Sequence, residues 1–197
     1  MFLGLKIDKA LNWKQHIQSL TSKLSSVCYA LSVLVSVASF ETVKAAYYAN
    51  AVSLLRYGVV FWGNSTDSVK VFLVQKRIIR AICKLSFRDS CKEHFKSNKF
   101  LTLPSLYIFE SLILFKQNRL DISNNKPNFA FRKNALQYPI HRTKIFENGP
   151  YYSSLRLYNK LPDYIKAKPL LKSFKNSLRD YLGNKAYYSV EEYMNEL

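Results

Sequence analysis

The residues able to carry catalysis are few and scattered. The aspartates are Asp8, Asp67, Asp89, Asp121, Asp163 and Asp180. None is paired in an apolar strand-turn-strand setting, so no two of them are placed to share a pair of Mg2+ ions. Glu191 and Glu192 are the only adjacent carboxylates and sit in an acidic C-terminus. His16, His94 and His141 are isolated, and Cys28 and Cys83 fall inside expected helices. There is no Gly-rich phosphate loop, no His-Glu-x-x-His and no Gly-x-Ser-x-Gly. Cys91 and His94, with Cys83 nearby, lack the Cys-x2-Cys companion of a structural zinc site. Neither metal nor cofactor is expected, and no catalytic residue is assigned.

Binding is the chemistry the side chains do suggest. Thirty Lys and Arg against 13 Asp and Glu give the 197 residues a formal charge of +17. A compact fold with that excess repels itself, which favours a polyanionic partner. The excess is uneven. Residues 70–99 hold nine basic and two acidic residues, and residues 126–185 hold 13 and three. In the first zone Lys76, Arg80 and Lys84 repeat at i, i+4 and i+8, with Arg77 alongside. Like charges at that spacing weaken an isolated helix by a few tenths of a kcal/mol, a repulsion that a row of phosphates offsets. In the second zone Tyr138-Pro-Ile-His-Arg-Thr-Lys-Ile-Phe146 places Arg142 and Lys144 between aromatic rings. Cations neutralise phosphates and rings stack on bases. The candidate nucleic-acid contacts are therefore Lys76, Arg77, Arg80 and Lys84, with Arg142 and Lys144 secondary.

The elements that must position these residues are mainly α. Five glycines and six prolines are too few for a many-stranded barrel. Trp13, Ile17, Leu20, Leu24, Val27, Leu31 and Leu34 step by four and three, which predicts a helix over 13–35, with Asn12 as N-cap. A second helix, rich in alanine, is expected over 41–57. Gly58 interrupts it before the apolar run Val59–Trp62 and a turn at Gly63-Asn64-Ser65. The cation-bearing third helix should begin after Ser65 or Thr66 and run to about 85. Ser90 and Glu93 form a capping-box pattern before a short helix at 91–98. Pro104 opens another helix, over 104–119. Polar residues 121–128 read as a linker between a helical domain at 1–120 and a basic C-terminal region at 129–197. In that region residues 130–148 read as extended, and helices are expected over 151–161 and 170–182.

Cysteine usage, odd in number and without framework spacing, points to an intracellular protein, nuclear or cytoplasmic. The N-terminus reaches charge too soon for a secretory leader. The longest uncharged run, Leu24–Phe40, has 17 residues and five serines. It falls short of a membrane span, so a buried helix is expected.

The order of short segments carries more than any one of them. Phe2-Leu3-Gly4 precedes Asp8-x-x-Leu11-x-Trp13-x-x-His16-Ile17. Tyr57-Gly58, Trp62-Gly63-Asn64 and Gln75-Lys76-Arg77-x-x-Arg80-x-Ile82 follow. Then come Asp89-Ser90-Cys91, Phe95, Leu101-Thr102-Leu103-Pro104 and Tyr107-Ile108. Tyr158-Asn159-Lys160-Leu161-Pro162, Phe174-Lys175 and Tyr187–Tyr193 complete the series. Over residues 2–193 this succession resembles the thumb and post-thumb region of LINE-type (non-LTR retrotransposon) reverse transcriptases, including jockey-like elements. Phe129-Ala-Phe-Arg-Lys133 departs from the family's His/Tyr-Asn-Thr-Arg segment.

The resemblance implies a helical thumb-like bundle followed by a smaller mixed or helical tail. It also implies a nucleic-acid-binding part of an RNA-directed DNA polymerase. The partners would be an RNA or DNA primer-template duplex, gripped without regard to sequence, and the palm of the same polymerase. The family's Tyr/Phe-x-Asp-Asp carboxylates precede the Phe-Leu-Gly block, so by resemblance this chain is not itself an enzyme. A fragment, a truncated element copy and a gene start at an internal Met all fit that reading. The alternative is a non-enzymatic remnant acting as a protein-interaction or anionic-membrane-surface module.

Overall fold

A computed structural model describes residues 3–9, 11–123, 136 and 138–196. The chain is mainly α, as the sequence predicts. Helix α1 spans Lys14–Val37. The expected stripe is its inner face: Ile17, Leu20, Leu24 and Leu31 are buried, and Val27 and Leu34 pack against the core. The expected Asn12 cap is replaced by a different entry. Trp13 adopts a left-handed conformation at φ 64° and caps nothing with its side chain. Asn12 Oδ1 accepts only from Lys14 N, at 3.3 Å. The twist sends the Trp13 ring into the core beside His16 and Phe61.

Ser39 caps α2 (Phe40–Ala46) by accepting from Thr42 N. That helix continues through a π-helical stretch, Tyr47–Val52, into α3 (Ser53–Arg56). Gly58 turns the chain at φ 61°, where an added Cβ would lie 2.8 Å from Leu5 Cδ2. The apolar run at 59–62 is one helical turn, α4 (Val59–Trp62). Gly63 follows because Val59 O and Tyr107 Cδ2 lie 2.6 and 2.7 Å from where its Cβ would stand.

Helix α5 (Ser68–Ile82) lies along α1. Lys14 acts electrostatically on Asp67 at the start of α5, and Arg77 acts on Cys28 in the body of α1. The two helices therefore run in the same direction. Helix α6 covers Lys92–Ser97. The expected capping box does not form there. Cys91 occupies the cap position, Ser90 Oγ accepts from Lys92 N at 3.4 Å, and Glu93 pairs with Lys96 at 2.9 Å. Glu93 has a cation within reach one turn on, and that contact displaces the backward reach to the helix start.

Helix α7 (Leu103–Ser123) is the centre of the molecule. Its apolar residues surround it, as in a helix enclosed by protein: Leu106, Tyr107, Ile108, Phe109, Leu112 and Phe115 are all buried. Helices α3, α4 and α5 of the N-terminal half pack on it. From the C-terminal half α9 (Pro150–Lys160), α11 (Leu171–Lys185) and α12 (Val190–Met194) pack on it as well. Short turns α8 (Lys144–Glu147) and α10 (Asp163–Lys166) lie between. Residues 121–123, expected to begin the linker, are the last turn of α7; residues 124–128 lie outside the described residues. The buried residues before and after that stretch form one cluster.

Candidate nucleic-acid interface

Helix α5 divides its surface sharply. Val71, Phe72, Val74, Gln75, Ile78, Ile79 and Ile82 are buried. Lys70, Leu73 and Arg77 face solvent. Lys76 and Arg80 lie at the boundary, half-buried. The Lys76 ammonium stands over the rings of Phe72 and Tyr188, 5.0 and 5.5 Å from their centroids. Lys92 stands 5.3 Å from the centroid of the same Tyr188 ring and pairs with Glu192 at 2.5 Å. Arg80 donates from Nε to Asp89 O at 3.1 Å. Two of the four expected phosphate contacts thus also fasten the seam between α5, residues 89–92 and the C-terminal segment. Cation–π contact of this kind leaves the charge in place.

Lys84 departs from the expected stripe. The helix ends at Ile82, and Lys84 is left-handed at φ 53°. Lys84 N donates to Ala81 O and Leu85 N to Arg80 O. This pair of bonds is the Schellman termination, which usually takes glycine at the left-handed position. Lys84 is therefore exposed on a turn, out of register with Lys76 and Arg80. Nothing in the periodicity distinguishes a third turn of helix from a lysine-bearing cap.

Arg142 and Lys144 flank a second cluster. His141 stacks on Phe146 with ring centroids 5.9 Å apart and an angle of 27°. Tyr152 meets His141 edge-on at 4.7 Å and Tyr138 at 5.5 Å. Two side chains hold the segment. Asn159 on α9 accepts from Leu136 N and donates to Leu136 O, both at 2.9 Å. Thr143 caps α8 through Phe146 N. The expected extended stretch thus carries one helical turn at 144–147. Tyr138 is 48% exposed and Tyr151 56%, so both rings are open to solvent, and Arg142 and Lys144 of the same segment are exposed too.

None of Lys76, Arg77, Arg80, Lys84, Arg142 and Lys144 has a carboxylate within ion-pair distance among the described residues. Lys76 stands over the Tyr188 ring and Arg80 acts electrostatically on the same phenol; Arg142 and Lys144 lie in the segment that carries the second ring cluster. Among the described residues no hydrogen bond, ring contact or ion pair joins the two groups. Sequence reasoning missed Lys92 and Tyr188. A tyrosine 112 positions beyond Lys76 offers no local signal, and Lys92 lies outside the helical repeat.

Electrostatics elsewhere follow burial. Burial lowers the His16 imidazole, helped by Lys23 and Lys6, so it is neutral near pH 7. Burial raises the thiols of Cys28, Cys83 and Cys91, which keeps them protonated and unreactive. Among the described residues no three of His, Cys, Asp and Glu converge. No protein-family model matches the sequence, and no curated protein or solved structure was found to be similar to it.

Proposed function

We propose that this chain is a non-catalytic nucleic-acid-binding module, the thumb and following region of a LINE-type reverse transcriptase, gripping a primer-template duplex by its backbone. The observation that carries the reading is the set of six cations that have no carboxylate partner among the described residues, four of them at one end of α5 and its cap. Cations already neutralised by neighbouring acids release few counterions on binding; these six are free of that competition. Phosphate contacts position a duplex without reading its sequence, which suits a polymerase that copies any template. The palm of the same polymerase would be the protein partner and would supply the carboxylates for nucleotide addition. Purified chain should then give no primer extension.

The test is binding of a labelled duplex at several salt concentrations. Each neutralised phosphate contributes about 0.9 to the log–log slope for duplex DNA. Replacing Lys76, Arg77, Arg80 and Lys84 by alanine should flatten the slope by roughly two to four. An unchanged slope rejects the assignment of these four.

A second reading rests on α1. That helix is long and apolar enough to cross a bilayer by length and composition, and only 22% of its most apolar window is buried. Tyr29 and Val37 are 73% and 79% exposed, with Val33 between them. A retrotransposon-derived remnant docking through this face on protein or anionic lipid would float with liposomes and leave nucleic acid unbound.

A further inference from the structure

A cleft of about 260 Å³ opens between the 47–56 helical segment, the turn at residues 99–101, α7 and α11. None of Lys76, Arg77, Arg80, Lys84, Arg142 and Lys144 lines it. Three cations border it: Arg56, Lys99 and Arg179. One lining residue, Glu110, is acidic and pairs with Arg56 Nε at 2.6 Å. The lining therefore keeps an excess of two positive charges. Lys99 also meets Asp180, outside the lining, at 3.7 Å. Both partners are largely exposed, and such a pair is weak.

The floor has a different character. Val52, Leu106 and Phe109 are apolar, and Tyr48 adds an aromatic face. The Arg179 guanidinium lies 5.4 Å from the centroid of Phe109. Leu106 and Phe109 are each only 3% exposed, so the open ring face is that of Tyr48, 40% exposed; an aromatic face beside a rim of cations suits a planar ring that bears a phosphate.

Two backbone irregularities converge on this cleft. The π-helical stretch Tyr47–Val52 inserts an extra residue into its turn. Tyr47 can thereby enter the core while Tyr48 and Val52 face the cleft. Such stretches occur frequently at functional sites. Lys99 is left-handed at φ 55° and closes α6 with the same pair of bonds that closes α5, Lys99 N to Lys96 O and Phe100 N to Phe95 O. Glycine is the unstrained residue at that position. A lysine there puts a charge on the rim at the expense of backbone ease, and strain of this kind clusters at ligand sites.

We propose that this cleft binds one phosphorylated nucleotide, its ring against Tyr48 and its phosphate between Lys99 and Arg179, while Arg56 stays paired with Glu110. Ligand pockets that enclose a whole small molecule run from about 300 to 1,000 Å³. This cleft is slightly smaller, so it accommodates a single ring with its phosphate at the rim and no longer stretch of strand. The shared chemistry belongs equally to a free mononucleotide and to the phosphorylated end of a strand. The proposal does not depend on the backbone grip along α5.

The experiment is calorimetric titration of the full chain with AMP, adenosine, inorganic phosphate, and a trinucleotide with and without a 5′-phosphate. AMP should bind at least about tenfold more tightly than adenosine or phosphate alone, because ring and phosphate act together. Lys99→Gly keeps the turn and removes the charge; it and Arg179→Gln should each weaken AMP by about three- to tenfold. The four-alanine α5 variant should bind AMP as the parent does. A phosphorylated trinucleotide binding more tightly than AMP identifies a strand end as the occupant; equal binding identifies the free nucleotide. Equal, weak binding of AMP and phosphate, or AMP binding indifferent to both Lys99→Gly and Arg179→Gln, overturns the site.

Discussion

Gln75 on α5 caps the first turn of α7: its Oε1 accepts from Leu103 N at 2.8 Å. The same fully buried side chain donates from Nε2 to Tyr47 Oη at 3.0 Å and to Leu101 O at 2.9 Å. One amide therefore joins the π-helical stretch, α5 and the start of the central helix. Thr102 completes the anchorage by accepting from Ser105 N and donating to Tyr187 O. Replacing Gln75 by leucine leaves a helix N–H, a carbonyl and a phenol without partners. Each such orphan costs about 1–3 kcal/mol, and partial relaxation should bring the total loss to about 3 kcal/mol. Urea denaturation, read as a lower midpoint at unchanged slope, measures it.

Lys84 combines two roles that one substitution separates. Lys84→Gly should stabilise the fold by about 1 kcal/mol, because the left-handed conformation disfavours a Cβ by about that much. The same change should lower the salt slope of duplex binding by about 0.9. Thermal melts and salt titration of one purified variant test both. A stability gain with an unaltered slope would show Lys84 to be a cap alone.

Gly63, which ends α4, lies against Tyr107 of α7. Gly63→Ala drives a methyl into Val59 O and the Tyr107 ring. Val59 O belongs to helix backbone, which does not yield as the far end of a side chain would. Overpacking of this kind costs about 1–3 kcal/mol, and circular-dichroism melting should show the loss.

The C-terminal clasp should give the fold two pH limits. Burial raises Glu192, but the Lys92 ammonium and the Tyr188 and Ser189 groups that bond it outweigh burial and hold it below its ordinary value. A lowered carboxylate contributes stability that is present above about 4.5 and lost as pH falls through its folded value. Glu192→Gln should flatten the acid limb of a Tm-versus-pH curve. Burial, the Cys91 sulfur and the charges of Glu192 and Glu93 push Tyr188 up to about 12 against Arg80. A raised phenol contributes stability that is complete below 10 and lost as pH rises toward about 12. Tyr188→Phe should soften that alkaline limb. Because the Tyr188 hydroxyl is buried and has no partner among the described residues, the change should also stabilise the protein by about 1 kcal/mol near neutrality. The ring, and with it the seat of Lys76, survives.

The ring cluster and the cations beside it should separate in their effects on single-stranded oligonucleotides. Stacking on an aromatic side chain is worth about 1–3 kcal/mol per base. Tyr138→Ala and Tyr151→Ala should each weaken binding on that scale with little change in salt slope. Arg142→Ala and Lys144→Ala should instead reduce the slope by about 0.7 each. Fluorescence anisotropy of a labelled single strand at several salt concentrations distinguishes the two patterns.

The sequence by itself determined the mainly α fold, because helix-forming periodicity is local. The stripe from Trp13 to Leu34 marks the inner face of α1, Pro104 stands in the first turn of α7, and Phe174 and Leu178 mark the buried face of α11. It also determined that the chain is cationic and where along its length the cations gather. What it left undecided was where each charge goes. Lys76 turns toward Tyr188, and Lys84 leaves the helix for its cap. Gln75, which sits in a basic motif, serves the core by capping a helix that begins 28 positions later. The tertiary structure alone settled these outcomes, since each depends on a partner brought near by packing. A hydrogen bond or cation–π contact across 28 or 112 positions leaves no period in the sequence.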